Sequence, residues 1–355
     1  MSSAPVELTP LDCTVRVATL DPTRLHETFH ILLKLLFFRE DEDEERQRFF
    51  SISISGQPGE KATAVTEPDA ISIIADADEL AQFAPDALQQ DDTDWRVLMV
   101  SEGEAGFDSV GVVERITGPL ASAAIPVLYM STVSTDFVLI PVDKVDEAVE
   151  RLHSSPRSSP RPSSKTRNKE RSSSHNDKEQ QLHAANGRSP TVASPERSGS
   201  PKSPQRHEHP LHAMSSATSQ IFSIDKASRH AHTSALLRLL FLPHPEDPPH
   251  ALRALTETPD EVSVLCGTVP WFLEYAGRSS IRAAGLDGWV PIRVGEEGGT
   301  PLDEVGVVAT QANVLASANI PIVYHASFLS DYTLVQEPQL QRAIDAFTAA
   351  GFTIT

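Results

Sequence analysis

Hydrophobic and polar residues along the first forty positions switch between two spacings. The apolar run at residues 13–20 predicts a β-strand. Asp21-Pro22 then supplies the side-chain cap and the first-turn proline that are typical of a helix start. The helix that follows carries one apolar stripe, made of Leu25, Phe29, Leu32, Leu33 and Leu36. The chain is therefore expected to begin as a strand followed by an amphipathic helix.

The rest of the first half continues this alternation of strands and helices. Further strands are predicted over residues 49–55, 70–75, 95–100, 127–132 and 137–142, and helices over residues 77–83, 110–123 and 145–152. The alternation repeats in units of about 60–75 residues, which suits compact two-layer modules. The predicted fold class is α/β (α+β), built from ferredoxin-like βαββαβ modules.

The two ends of the chain repeat each other. The sequence LLKLLF at residues 32–37 recurs as LLRLLF at residues 236–241. Residues 108–141 and 303–336 align without a gap at a constant offset of 195, and 14 of the 34 positions are identical. This repeat predicts a pseudo-twofold duplication with two modules in each half. The predicted modules cover residues 11–90, 91–153, 217–285 and 286–355.

The segment between the halves, residues 154–216, has a different composition. Ser, Pro, Arg and Lys dominate it, so it is predicted to be a disordered linker. Its Ser-Pro pairs, among them Ser194 and Ser203 with Arg three residues later, fit a proline-directed kinase. A passive tether is the alternative reading. The linker histidines, His207, His209 and His212, are expected to be solvated rather than metal-binding.

Charge and motifs exclude several classes of protein. The 355-residue chain has a net charge of −19, while residues 151–210 hold 12 basic and only 5 acidic residues, so the rest is strongly acidic and should repel nucleic acid and anionic membranes. Two cysteines, Cys13 and Cys266, cannot form a disulfide framework, which favours a reducing, cytoplasmic location. No nucleophile elbow, nucleotide-binding loop or metal-ligand spacing is present, so neither an enzyme nor a cofactor is expected.

One stretch of the repeat resembles a known family. VGVVERITGPLASAAIPV at residues 110–127, followed by STVSTDF at residues 131–137, resembles an ACT domain of the aspartokinase type. The chain as a whole resembles the CASTOR group of cytosolic arginine sensors, which restrain the TOR kinase complex. The resemblance implies four ACT modules, an amino acid held between the halves, and a ligand-controlled interaction with a protein partner in nutrient signalling. ACT modules often dimerise, so a homodimer is expected as well.

The resemblance also implies which residues contact the ligand. Those of the second half are Glu304, Phe328 and Asp331, with Ser327, Val305 and Gly299 beside them, and those of the first half are Pro126 and Val127. Fixed carboxylates suit a cation, and paired oxygens suit a guanidinium group in particular. Glycines between residues 295 and 306 allow the backbone to approach a ligand.

The same residues also fit purely structural roles. Glu304 could cap a helix and Asp331 could stabilise a tight turn. Asp136, the first-half counterpart of Asp331, is predicted to be structural, because Ser109 stands where the second half has Glu304. The function favoured by the sequence is a cytosolic amino-acid-binding regulator with arginine as its ligand. The alternatives are a different amino acid, an ACT scaffold with an empty site, or a feedback subunit of a biosynthetic enzyme.

Overall fold

The structure is a computed structural model of the whole chain. It describes residues 7–38, 47–55, 70–101, 110–154, 209–215, 218–242, 252–267, 281–283, 288–295, 300–328 and 330–355. Apart from residues 154 and 209–215, the predicted linker lies outside the described residues.

Strands and helices alternate in both halves, as the hydrophobic pattern predicts. The first half contains β1 (Glu7–Leu20), α1 (Leu25–Phe37), β2 (Phe50–Ser55), β3 (Ala70–Ala75), α2 (Ala77–Leu80), β4 (Leu88–Gln90), β5 (Trp95–Ser101), α3 (Val112–Ser122), β6 (Leu128–Ser131), β7 (Asp136–Pro141) and α4 (Val145–Ser154). The second half contains β8 (Leu211–Ala213), β9 (Ser219–Asp225), α5 (Thr233–Phe241), β10 (Arg253–Glu257), β11 (Glu261–Gly267), β12 (Ile281–Ala283), β13 (Trp289–Val294), α6 (Val307–Ser317), β14 (Val323–Ala326), β15 (Asp331–Gln336) and α7 (Leu340–Ala350). The described elements therefore form an α/β fold.

The strand β1 is longer than the sequence pattern predicts and serves two sets of strands. Its last five residues pair with β3, while residues 7–10 and 14–15 pair with β5. The register with β5 shifts between Pro10 and Thr14, and the strand passes from β5 to β3 between Val15 and Arg16. In the second half two separate strands do the same work, because β8 pairs with β13 and β9 pairs with β11.

The halves are joined edge to edge into one sheet. Its strand order is β12-β9-β11-β10-β2-β3-β1-β5-β7-β6-β14-β15-β13-β8, with β4 attached to β1. The first junction pairs β2 with β10 in antiparallel register, so that Ile52 lies opposite Leu255. The second pairs Met130 of β6 with His325 of β14. Backbone pairing thus holds the halves together at two places.

The repeated LLKLLF and LLRLLF helices share one core. Leu32 and Leu36 of α1, and Leu236 and Leu240 of α5, are at most 2% exposed and belong to the same cluster of buried residues. The rings of Phe29 and Phe241 meet edge to face, with their centroids 5.1 Å apart. Burying an aliphatic side chain of this size contributes about 1.5–3 kcal/mol, so this cluster stabilises the association of the halves.

Buried charges also cross from one half to the other, close to β2 and β10. Arg48 donates through Nε to Oε1 of Glu79 at 2.9 Å and through Nη1 to Oε2 of Glu257. Arg229 donates to the same Glu257 oxygen at 2.8 Å, and Nζ of Lys226 lies 3.5 Å from the other. The two arginine and two glutamate side chains are only 4–9% exposed. These five residues are called the inter-half ion network below.

A buried histidine lies near the second junction. His325 is 3% exposed, and its Nε2 lies 2.6 Å from Oγ of Ser53 on β2. Burial lowers the pKa of His325 to about 4, because the charged ring is poorly solvated there. At neutral pH the ring is therefore uncharged in the folded protein.

His325 should make the fold sensitive to acid. The unfolded chain binds a proton at this position near the ordinary histidine pKa of about 6.5, whereas the folded chain resists it until about pH 4. The free energy of unfolding should therefore fall as the pH drops through that range, and His325 should account for up to about 3 kcal/mol of the loss. Denaturant unfolding of the wild type and of His325→Gln between pH 7.5 and 4 measures the difference. His26→Gln, at an exposed histidine, should lose stability in parallel with the wild type. If His325→Gln does so too, the buried ring does not cause the acid sensitivity.

Candidate functional site

The helices α3 and α6 pack against each other as two copies of one element. The residues before them, Gly111 and Gly306, both have positive φ angles, +83° and +90°. A Cβ atom on Gly111 would lie 3.7 Å from Cβ of Ala316, and one on Gly306 would lie 3.9 Å from Cβ of Ala121. The start of each helix therefore lies beside the end of the other, in agreement with a duplicated pair.

A cleft opens at one end of this helix pair. Its volume is about 10 Å³, about that of one water molecule, and it is partly open to solvent. Its lining residues are Thr117, Ala121, Ile125 and Val127 from the first half and Glu304, Gly306, Val307, Val308 and Ala309 from the second. The cleft thus lies between the halves and contains the N-terminal end of α6, where free backbone N–H groups favour an anion.

Glu304 does not cap α6, because the residue before the helix is Gly306 and makes no side-chain cap. Instead, its Oε1 lies 2.6 Å from Nε2 of His209, and each side chain is a little over one quarter exposed. The expectation that His209 is a solvated end of the linker is therefore wrong. His209 directly precedes Pro210 and β8, whose hydrogen bonds to the sheet bring it to the site.

Asp331 is buried beside this pair at the start of β15 and is 7% exposed. Burial, and to a smaller extent the negative charge of Glu304, raise the pKa of its carboxyl group to about 7. The hydroxyls of Tyr324 and Thr300 and the His209 ring favour the charged form, but they do not offset the burial. A ligand cation would be stabilised here, because two carboxyl groups lie close enough for their charges to repel each other.

Tyr324 marks the difference between the two copies of the site. In the first half, the hydroxyl of Tyr129 donates to Oδ2 of Asp136 at 2.7 Å. Tyr324 and Asp331 occupy the equivalent positions, and the buried Tyr324 hydroxyl lies beside Asp331 and Gln311, but no bond to a described residue there has the geometry of the Tyr129–Asp136 bond. Burial raises the pKa of Tyr324, so it remains a proton donor. Its hydroxyl is therefore less well satisfied than that of Tyr129 and is available to a further acceptor.

The turn before Asp331 connects the site to the first half. Ser327 closes this turn, since its Oγ donates to the carbonyl of Ser330 at 2.6 Å. Asp331 is therefore not the residue that stabilises the turn. The backbone N–H of Phe328 donates to Oγ of Ser72 on β3 at 2.8 Å. A change at Asp331 can thus reach the strands of the opposite half through a few bonds.

The corresponding turn of the first half also crosses between the halves. Ser134, between β6 and β7, donates through its backbone N–H and its hydroxyl to the two carboxylate oxygens of Glu261, at 3.1 and 2.7 Å. Glu261 is the first residue of β11 and is 6% exposed. Each hairpin therefore contacts a strand of the other half.

The structure brings some of the predicted site residues together. Glu304 and Val127 line the cleft, and Asp331 is close enough to Glu304 for their charges to interact. Pro126 directly precedes Val127 and is half-buried, and Val305 is 37% exposed. Gly299 lies outside the described residues.

The sequence did not reveal four residues around Asp331: His209, Thr300, Gln311 and Tyr324. His209 was hidden by the polar composition of the linker end. Gln311 lies on the buried face of α6, where its Oε1 accepts from the Thr333 hydroxyl at 2.6 Å. Tyr324 could have been found, because the repeat alignment pairs it with Tyr129 at the offset of 195. The alignment could not show that only Tyr129 is bonded to its aspartate.

Metal sites and membrane-spanning helices are two further features to consider among the described residues. Within the described residues, no group of three His, Cys, Asp or Glu side chains is placed to hold a metal ion. The described helices also include none with the length and hydropathy needed to cross a membrane.

Comparison with protein families defines the class of these modules. Residues 91–154 and 285–349 each match the model of the ACT domain. These segments contain α3 and β6–β7 in the first half and α6 and β14–β15 in the second, which are the elements that build the cleft. The chain thus carries two matched ACT domains, one in each half, and the internal repeat is confirmed.

Curated relatives narrow the resemblance. The chain is 32% identical over 142 residues to "Cytosolic arginine sensor for mTORC1 subunit 1" of Bos taurus, and 30% identical over 150 residues to the protein of that name in Homo sapiens. Both matches cover 38% of this chain and 41% of the relative. The chain therefore spans less than half the length of the curated relatives it matches. The resemblance to the cytosolic arginine sensors is confirmed.

A solved structure, the aspartate kinase from Synechocystis, covers 98% of this chain with 55% of its own length, at 11% identity and a TM-score of 0.32.

Proposed function

We propose that this chain is a cytosolic amino-acid-binding regulatory protein whose ligand, arginine by preference, binds between the halves at the start of α6. One observation carries the proposal: Tyr129 donates to Asp136 at 2.7 Å, whereas the equivalent Tyr324, which also lies beside its aspartate, makes no bond of that geometry to Asp331. The hydrogen bonds of the first copy are therefore complete within the protein, while those of the second copy leave room for a ligand. The ACT domains in both halves, and relatives named as arginine sensors, support the same role.

The charges around the cleft favour a ligand with a cationic side chain. A guanidinium or ammonium group near Glu304 and Asp331 would offset their mutual repulsion and keep Asp331 ionised despite its burial. The ligand's own carboxylate suits the free N–H groups at the first turn of α6. Arginine fits better than lysine, because its planar group can pair with two carboxylate oxygens at once.

The ligand would act by changing a surface that another protein reads. The turn closed by Ser327 adjoins Asp331 and is bonded to Ser72 of the opposite half, so occupancy of the site biases how the halves sit together. Such coupling requires that the ligand bind one arrangement more tightly than the other. The names of the relatives point to TOR-pathway signalling as the setting of this protein partner.

Further features of the proposed sensor belong to the same proposal. The two halves contain four ferredoxin-like ACT modules, and the protein forms a homodimer. Ser-Pro sites of the linker are substrates of a proline-directed kinase. Neither nucleic acid nor a membrane is a partner, because the folded parts are strongly acidic. The protein is not an enzyme and needs no cofactor.

Calorimetric titration of the full chain with each of the amino acids tests the proposal. Arginine should bind saturably, and Asp331→Asn should weaken it about 10- to 150-fold, which corresponds to about 1.5–3 kcal/mol for a hydrogen bond to a charged group. Asp136→Asn is the matched control, because Asp136 has the same position in the first half but already accepts from Tyr129. It should leave arginine affinity within about twofold, since no ligand contact is removed.

The outcomes separate the alternatives. Saturable binding of a different amino acid that also depends on Asp331 would retain the sensor and replace its ligand. No binding by protein that unfolds cooperatively on heating would favour an ACT scaffold with an empty site. Equal losses from Asp331→Asn and Asp136→Asn would show that the ligand does not prefer the second copy. Recovery of a biosynthetic enzyme as the partner would favour a feedback subunit.

A further inference from the structure

His209 is held in place more firmly than its position at the end of a polar linker suggests. The next residue, Pro210, accepts a backbone hydrogen bond from Gly295 at 3.0 Å. Leu211 is fully buried, pairs with Val294 of β13, and exchanges backbone bonds with the C-terminal residues 353 and 355. His209 therefore lies next to the cleft, two residues before a strand that is hydrogen-bonded into the sheet.

Glu304, the hydrogen-bond partner of His209, also lines the cleft. Oε1 of Glu304 lies 2.6 Å from Nε2 of His209, and the Glu304 side chain lines the space between the halves. A ligand cation that uses Glu304 must share or take this carboxylate from the histidine. In the absence of a ligand, His209 therefore already occupies the Glu304 carboxylate that a ligand cation would use.

The pair belongs to the second half only, as the repeat shows. Val294 lies opposite Asp331 as Val100 lies opposite Asp136, so Val294 and Val100 are equivalent. Leu211 pairs with Val294 as Leu8 pairs with Val100, so the first-half counterpart of His209 in the sequence is Val6, and that of Glu304 is Ser109. A valine and a serine at these positions cannot form the same pair. His209 thus occurs only in the second half, which is also the half that has Tyr324 and the additional carboxylate of Glu304.

We propose that His209 is a proton-controlled competitor for Glu304, so that acidification weakens the binding of a cationic ligand at this site. Histidine is the side chain that changes charge between pH 5 and 8. When neutral it offers Glu304 one hydrogen bond, and when protonated it offers a full positive charge that also repels a ligand cation. The inference rests on the proposed function, because it concerns how that site is regulated.

Other titrating groups around the pair must be separated from His209. Asp331 of β15 faces Glu304 and also loses its charge on acidification, which weakens a cation in the same direction. Tyr324 of β14 stays protonated across this range. A variant of His209 is therefore needed, since the pH dependence of the wild type alone combines both effects.

The test is calorimetric titration with L-arginine at about pH 8 and about pH 5.5. His209→Gln keeps a side-chain donor for Glu304 but cannot become charged. At the lower pH it should bind arginine about two- to fivefold more tightly than the wild type, the range expected for a partly exposed ion pair. At the higher pH the two should agree within about twofold. His212→Gln is the matched control, because His212 is on β8 but contacts Thr355 instead. It should follow the wild type at both values.

Three results would contradict or remove the inference. Weaker binding by His209→Gln at both pH values would make His209 a ligand contact rather than a competitor. Binding equal to the wild type at both would mean that the pair does not compete. Absence of arginine binding by every folded variant at both pH values would instead refute arginine as the ligand of the proposed function.

Discussion

Replacing Glu257 with glutamine should lower the free energy of unfolding by about 3–5 kcal/mol. Glu257 accepts from both Arg48 and Arg229 and lies near Lys226, and its side chain is 4% exposed. Glutamine has the same shape but no charge, so two buried guanidinium groups would lose their shared counter-charge. Leaving a buried charge uncompensated costs several kcal/mol, because water cannot reach it. Denaturant unfolding at neutral pH measures the effect.

The control is the same change at an exposed glutamate. Glu27 pairs with Arg24 within one turn of helix, and its side chain is 49% exposed. Such pairs contribute about 0.3–0.5 kcal/mol, so Glu27→Gln should be close to neutral. If the two variants lose similar, small amounts of stability, the inter-half ion network does not hold the halves together.

The consequence for function is that the inter-half ion network fixes one half against the other beside the β2–β10 junction. Arg48 and Glu79 come from the first half, whereas Glu257, Arg229 and Lys226 come from the second. A ligand that shifts the halves at the β6–β14 junction would do so while the inter-half ion network continues to hold the β2–β10 junction together. The signal would then be a rearrangement around the cleft rather than separation of the halves.

Local patterns in the sequence predict the elements well. The LLKLLF helix is observed over Leu25–Phe37, and Asp21 accepts from the backbone N–H of Thr23 at 2.9 Å, as the Asp-Pro pair indicates. These features depend on residues only a few positions apart. The repeat extends them to the second half, where α5 and α6 occupy the positions that the alignment implies.

Long-range features are invisible to such patterns. The pairing of β2 with β10 joins residues about 200 positions apart, and nothing local in either strand specifies its partner. Arg48 follows a run of charged residues that is typical of a solvated loop, yet it is 5% exposed. Its burial is explained only by its ion pairs with Glu79 and Glu257, which the fold places beside it. His209 was misjudged for the same reason, because its partner Glu304 is 95 residues away.

The candidate site was only partly predictable for a related reason. Glu304 and Asp331 could be proposed from residue type and from a resemblance, since carboxylates suit a cationic ligand. The difference between the two copies depends on the hydrogen-bond geometry between one tyrosine hydroxyl and one carboxylate. Sequence identity at both positions conceals it.

Replacing Ala121 with phenylalanine should abolish ligand binding, with a loss of about 100-fold or more, or about 2.7 kcal/mol. Ala121 is half-buried near the end of α3 and lines the cleft, and its Cβ faces Gly306 at the start of α6. A phenyl ring there would fill the cleft and cover the first turn of α6. Neither Glu304 nor Asp331 is changed, so the loss would report obstruction of the cleft and not removal of charge.

The duplication supplies a control for this prediction that an unrepeated protein would lack. Ala316 is the counterpart of Ala121 on α6, is also half-buried, and faces Gly111 as Ala121 faces Gly306. Ala316→Phe adds the same ring at the opposite end of the helix pair, where any cost of crowding, about 1–3 kcal/mol, should be comparable. Calorimetry with arginine and thermal unfolding of both variants separate the two effects. Similar melting temperatures with binding lost only in Ala121→Phe would place the ligand at the start of α6, whereas loss in both, or in neither, would mean that this cleft is not where it binds.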